Sequence, residues 1–145
     1  MKSPAQPYAG GNGAQTTTAH EHKATDTFVD LLPCAGVDPY TITITYNAVE
    51  HETITANGVH ATFTQTGTFT AVPTNPSQLA FSGHFTNWGN FNLSPQNVNS
   101  TFTFTIHGTS TDGSGVDLHF HETAHFTASG DPLQVRVEFD KVSCA

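Results

Sequence analysis

Histidines and a glutamate alternate with apolar residues along 116–126, VDLHFHETAHF, and both residue types can carry chemistry. His119, His121 and His125 occupy odd positions, whereas Glu122 shares the even positions with Leu, Phe and Ala. Neutral imidazole is the commonest metal ligand, and a carboxyl group held among apolar side chains has a raised pKa that suits acid and base catalysis. Because neighbouring side chains of a strand point to opposite faces, the two chemistries must lie on opposite sides of a sheet.

The rest of the sequence places this segment in a protein made almost entirely of β-strands. After residue 23, apolar and polar residues alternate to the end, and no stretch shows a helical period. Turn residues interrupt the alternation at Asn57-Gly58, at DGSG 112–115 and at GDP 130–132. The pattern predicts strands over residues 24–30, 40–55, 59–72, 79–88, 98–109, 116–128 and 133–143.

Long strands joined by short hairpins favour an all-β fold, an antiparallel up-and-down β-barrel of about seven or eight strands. We expect residues 24–145 to form this barrel as a single domain, because a chain of 145 residues is long enough for one core. Residues 1–23 are rich in Gly, Pro, Ala, Gln and Thr without a period, which predicts a flexible N-terminal tail.

Hairpin geometry predicts which side chains are neighbours on one face of the barrel. Around Asn57-Gly58 the expected pairs are Ile54 with Ala61, Glu52 with Phe63, and Tyr46 with Phe69. Around DGSG they are Phe104 with Glu122, Ile106 with Phe120, Thr105 with His121, and His107 with His119. Around the last turn they are Phe126 with Val135, His121 with Asp140, and His125 with Arg136. These pairs put the aromatic side chains, Phe139 included, on an inward face and the Thr and His side chains on an outward face.

The charge balance excludes some classes of partner. The formal net charge is −8, and the only cations are Lys2, Lys23, Arg136 and Lys141. Without a basic stripe to neutralise phosphates, neither nucleic acid nor an anionic membrane surface is an expected partner. No apolar run is long enough to predict a membrane span.

Two cysteines and the polar composition predict the compartment. Cys34 follows an early strand and Cys144 is the penultimate residue, so a closed sheet would bring them together as one disulfide; two free thiols in a cytosolic protein are the alternative. Charged residues make up only 11% of the chain, and Thr, Ser, Asn and Gln replace them, as is typical of secreted proteins. The N-terminus lacks the apolar segment of a signal peptide, so we expect the sequence to be the mature part of a secreted, extracellular protein.

The outward histidines are the candidate metal ligands. His107, His119 and His121 are expected to be neighbours with Asp140 nearby, and such donors suit copper or zinc. The alternative is that imidazole serves only as an uncharged polar group on exposed strands. No cysteine spacing of a structural zinc site occurs, and no other cofactor is expected.

The inward face predicts a binding site for a small hydrophobic molecule. Aromatic side chains line such a lumen and a few polar ones anchor the ligand. The candidate ligand-binding residues are Tyr46, Glu52, Phe63, Gln65, Phe104, Phe120 and Glu122. An alternative from another class is an isomerase or cyclase in which Glu122 is the catalytic acid or base. The outward metal site for copper or zinc is the third hypothesis.

Five segments extend over most of the chain after residue 24: FVDLLPC, TGTFTAVP, GHFTNWGNFN, TFTFTIHGTSTDGSGVDLHFHETAHFTASG and VEFDKVSC. These segments resemble a family of small exported actinobacterial proteins that has no assigned activity. The resemblance implies export and the disulfide, and it brings no reaction with it. The expected strand number and length are also similar to those of allene oxide cyclases, dirigent proteins and lipocalins, although the GxW signature of lipocalins is missing at the first strand.

Overall fold

The computed structural model describes residues 13–130, 132 and 134–144, which form one antiparallel sheet. Its strands are β1 Gln15–Asp30, β2 Tyr40–Thr55, β3 Gly58–Pro73, β4 Phe81–Ser94, β5 Asn97–Ser110, β6 Asp117–Ser129 and β7 Gln134–Ser143. Each strand pairs with the next along the chain, which confirms the predicted all-β, up-and-down arrangement. Within the described ranges, no helix is long and apolar enough to cross a membrane.

β1 begins earlier than the sequence predicts. It starts at Gln15, so the expected boundary between a tail at 1–23 and a domain at 24–145 is wrong for residues 15–23. Gln15 pairs with Ile54, and Glu21 pairs with Ala48 before a bulge. This part of β1 has few apolar side chains, but Thr is a good strand former and β2 supplies the backbone partners. Residues 1–12 of the predicted tail lie outside the described residues.

The turn between β2 and β3 lies one residue earlier than expected. Thr55 pairs with Gly58, so the turn is formed by Ala56 and Asn57. Gly58 belongs to the strand, where a Cβ would lie 1.9 Å from the carbonyl oxygen of Leu93 on β4. The predicted pairs are therefore wrong by two residues, although the period of two leaves every side chain on its expected face. The observed pairs are Ile54 with Val59, Glu52 with Ala61, and Tyr46 with Gly67.

The β5–β6 hairpin follows the sequence pattern, whereas the β4–β5 hairpin is longer than the pattern predicts. β4 continues beyond its expected end at Trp88, because Ser94 pairs with Asn97 across the turn to β5. The predicted β5–β6 register is confirmed, including the pairs Phe104 with Glu122 and His107 with His119.

β7 departs from its predicted pairing through a bulge opposite His125. Beyond the bulge, Phe139 pairs with His125 and Asp140 pairs with Ala124. Because one extra residue reverses the alternation, Phe139 joins the outward side chains and Asp140 joins the inward ones. The expectation that Asp140 faces His121 is therefore wrong. On the turn side of the bulge, the expected Phe126–Val135 and His125–Arg136 pairs are replaced by Ala128–Val135 and Thr127–Arg136.

The sheet coils around one face, which we call the inner face. It carries Tyr46, Phe69, Phe85, Ile106 and Phe120, which are only 5–7% exposed. In the described part of the chain no second layer covers these side chains, so the curl of the sheet itself must bury them. The predicted aromatic interior is confirmed for this part of the sheet.

The two edge strands are tied together by a disulfide. Cys34 follows β1 and Cys144 follows β7, with their Cα atoms 5.6 Å apart, which confirms the predicted bond. Among the described residues β1 and β7 do not pair, and every residue of β7 is exposed. Closure of the sheet into a barrel therefore stays a prediction.

Candidate functional site

Pairing across the sheet places a row of seven residues, four of them polar, midway along the inner face. The row runs through Glu21, Ala48, Gln65, Asn87, Phe104, Glu122 and Val142. On its disulfide side the inner face carries the buried apolar core, and on the other side Phe63 and Phe102 are half-buried. The row thus separates a packed half from a more open half.

A cavity of about 310 Å³ lies on the inner face between this row and the segment after β1. Most of its walls are apolar, and Asp30, Gln65 and Asn87 are its polar members. The apolar wall residues are Phe28, Leu31, Leu32, Pro33, Ile42, Ile44, Phe69, Phe85, Phe104 and Ile106. A second hollow of about 350 Å³ is lined by Phe63, Asn87, Ser100, Phe102 and Phe104. Because Asn87 and Phe104 line both, the two spaces adjoin.

Gln65 and Asn87 bring two neutral amides to the wall of the cavity. They are direct partners on β3 and β4, and both are half-buried. In the described ranges neither side-chain amide has a hydrogen-bond partner in the protein. Each amide has both donor and acceptor atoms, so the pair is able to bind a hydroxyl or carbonyl group of a molecule in the cavity.

Tyr46 on β2 is held by the edge strand β1. Its hydroxyl group donates a hydrogen bond of 3.0 Å to Oδ2 of Asp26 on β1. This hydrogen bond, followed by burial and by the negative charges of Asp26 and Glu21, raises the pKa of Tyr46. The Tyr46 hydroxyl thus links β1 and β2, and its role as a ligand anchor stays a prediction.

Glu122 lies beside a second carboxyl group. Burial raises the pKa of Glu122, and Asp140 raises it further through a hydrogen bond and charge repulsion. A protonated Glu122 is able to donate to the Asp140 carboxylate, whereas two ionised groups repel each other. The β7 bulge creates this pair, because it moves Asp140 to the inner face.

The predicted ligand-binding residues are therefore distributed over several places. Gln65 and Phe104 line the first cavity, and Phe63 lines the adjoining hollow with Phe104. Tyr46 and Phe120 belong to the buried core, while Glu52 and Glu122 line neither space. The prediction missed Asn87, although its spacing from Phe81 and Phe85 in β4 already put it on the inner face.

The outward histidines do not come together as a metal site. The rings of His107 and His119 are 5.5 Å apart, and His84 is the partner of His107 on β4. His121 instead hydrogen-bonds through Nδ1 to the hydroxyl of Thr105 at 2.9 Å. Across residues 13–130, 132 and 134–144, no group of three or more His, Cys, Asp or Glu side chains is arranged to hold a metal ion.

Hydrogen bonds to side chains on a neighbouring strand involve several outward histidines, namely His51, His60, His121 and His125. His51 bonds with Thr18 at 2.8 Å, and His125 bonds with Thr101 at 2.6 Å. His125 also stacks on Phe139, with ring centroids 5.9 Å apart. The outer face is thus a lattice of imidazole and hydroxyl groups that links strand to strand.

Comparison with known proteins gives no further assignment: the chain matches no family model, no curated protein and no solved structure.

Proposed function

We propose that the protein is a secreted binding protein for a small hydrophobic molecule. The observation that carries the proposal is the apolar cavity on the inner face with two uncommitted amides, those of Gln65 and Asn87, in its wall. A volume of about 310 Å³ is within the range of small-molecule sites, which combine apolar walls with a few polar groups. The Cys34–Cys144 disulfide is compatible with an extracellular location.

The walls and the amides have different roles in this proposal. Burial of hydrocarbon against Ile44, Phe69 and Phe85 supplies the affinity, at about 25 cal/mol per Å² of apolar surface removed from water. The amides of Gln65 and Asn87 supply orientation, because a hydroxyl or carbonyl group that enters the cavity must regain the hydrogen bonds it loses from water.

Two measurements test the proposal. Native mass spectrometry of the purified protein looks for a molecule that is carried through purification. Titration with octan-1-ol, followed by NMR, then reports on the site directly through the side-chain amide resonances of Gln65 and Asn87. We expect these two resonances to shift with 1:1 saturation.

A matched pair of variants places the binding in the cavity. Ile44→Trp adds bulk to the cavity wall, whereas Thr66→Trp adds the same side chain to an exposed position next to Gln65. We expect octan-1-ol affinity to fall at least about tenfold in Ile44→Trp, a loss of about 1.4 kcal/mol, and to be unchanged in Thr66→Trp. No carried molecule together with no saturable octan-1-ol binding would rule out the proposal.

The Glu122–Asp140 pair favours an isomerase or cyclase as the second candidate function. Glu122 pairs with Phe104, which lines both hollows, and its raised pKa suits a general acid or base. If the protein is an isomerase or cyclase, we expect Glu122→Gln to abolish turnover of the substrate, while the variant still binds that substrate. If the variant leaves turnover unchanged, Glu122 is not the catalytic group.

A further inference from the structure

The inner face carries many carboxyl groups, and the described part of the chain supplies few cations to oppose them. Its acidic side chains, placed by strand register, are Glu21, Asp26, Asp30, Glu50, Glu52, Glu122 and Asp140. Among the described cations, Arg136 is paired with Glu138 at 3.6 Å, and Lys141 lies opposite Thr123 on the outer face. Lys23 is exposed at the β1 bulge. Within residues 13–130, 132 and 134–144, no cation that points into the inner face neutralises its negative charge.

One of these carboxyl groups belongs to the apolar cavity itself. Asp30 lines the cavity together with Phe28 and the segment Leu31–Pro33. One of its oxygens, Oδ1, accepts a hydrogen bond of 2.7 Å from the backbone N–H of Leu31, which holds the carboxylate at the wall. A carboxylate fixed beside apolar walls attracts a cation more strongly than one that is free in water.

The cavity and its charge together distinguish between classes of apolar ligand. A concave surface of one sign, with walls of low dielectric constant, concentrates the electric field and raises the local concentration of the opposite ion. An apolar carboxylate would meet repulsion from Asp30 and from the other inner-face acids. An apolar amine gains both the hydrophobic contact and the attraction.

We infer that the ligand is an apolar amine, whose hydrocarbon part fills the cavity and whose ammonium group lies at Asp30. The inference deepens the proposed function and depends on it, because it uses the same cavity. A hydroxyl or carbonyl group elsewhere on the same molecule is compatible with the inference, because Gln65 and Asn87 lie on β3 and β4 while Asp30 ends β1.

The test compares three probes that share one hydrocarbon chain: octylamine, octan-1-ol and octanoate. Isothermal titration at low ionic strength gives the affinity of the wild-type protein for each. We expect octylamine to bind at least about tenfold more tightly than octanoate, with octan-1-ol between them. The preference for the amine falls when the salt concentration is raised to about 0.15 M, because ions screen exposed charges.

A pair of isosteric variants locates the ammonium group. Asp30→Asn removes the charge from the cavity wall while its amide oxygen still accepts from the Leu31 N–H. Asp117→Asn removes one charge from the exposed outer side of β6. We expect Asp30→Asn to lower octylamine affinity about tenfold and octan-1-ol affinity by a much smaller factor, whereas Asp117→Asn changes neither.

The outcomes distinguish a failure of the amine inference from a failure of the proposed binding function. If octan-1-ol binds but octylamine binds no more tightly than octanoate, the amine inference is overturned and the binding function stands. If Asp117→Asn weakens octylamine as much as Asp30→Asn does, only general surface charge is at work and the inference is again overturned. If none of the three probes binds, the binding function and the inference fail together.

Discussion

Removal of the Cys34–Cys144 disulfide tests how the two edge strands, β1 and β7, are held together. Both cysteines are exposed, so Cys34→Ser with Cys144→Ser removes the cross-link with little loss of packing. The bond joins residues separated by 110 positions, for which the loop-entropy relation gives a stabilisation of about 4.8 kcal/mol. With about 2.1 cal/mol/K of unfolding entropy per residue over 145 residues, the melting temperature should fall by about 16 °C.

Calorimetry and denaturant unfolding measure this loss, and hydrogen exchange shows where it acts. In the described residues β7 pairs only with β6, and its whole length is exposed. We therefore expect the amides of β7 to exchange faster in the double variant than those of the central strands. The wild-type protein under reducing conditions is the control, and it should match the variant. A stability loss below about 1 kcal/mol, or equal acceleration in all strands, would refute the argument that the bond holds the edges.

Two further predictions concern single side chains. Glu122→Gln should stabilise the protein near neutral pH by no more than about 1 kcal/mol, because solvent screens this half-buried group. The folded protein binds the Glu122 proton more tightly than the unfolded chain does. The free energy of unfolding of the wild-type protein therefore falls as the pH rises from 4.5, the ordinary pKa of the group, through its raised pKa in the folded state. The stability advantage of Glu122→Gln grows over the same pH range. Denaturant unfolding between about pH 4 and pH 8 measures this, and a gain that does not change with pH would exclude the carboxyl pair with Asp140. Gly67→Ala should destabilise by about 1–3 kcal/mol, because its Cβ would lie 2.2 Å from the Thr45 carbonyl oxygen. Gly13→Ala, whose Cβ would meet nothing within 4 Å, is the control, and equal thermal stability of the two variants would contradict the clash.

Much of the fold could be predicted because strand alternation and hairpin turns are local properties. The alternation of β2 and β6 predicted which side chains are buried, and DGSG predicted the β5–β6 register. The predicted β2–β3 register at Asn57-Gly58 was wrong by two residues, but the predicted faces were still correct. A register shift of one full period keeps each side chain on the same face of the sheet. The start of β1 was missed because its polar sequence is extended by pairing with β2 rather than by its own pattern.

The sequence by itself therefore determined the order of the strands, the aromatic inner face and the disulfide partners, all of which follow from the spacing of residues along the chain. Only the tertiary structure decided the composition of the candidate site. The β7 bulge brings Asp140 beside Glu122, and the curl of the sheet puts Asp30, Gln65 and Asn87 around one cavity. Bulges and curl depend on how strands pack over their whole length, so no local pattern of residues encodes them.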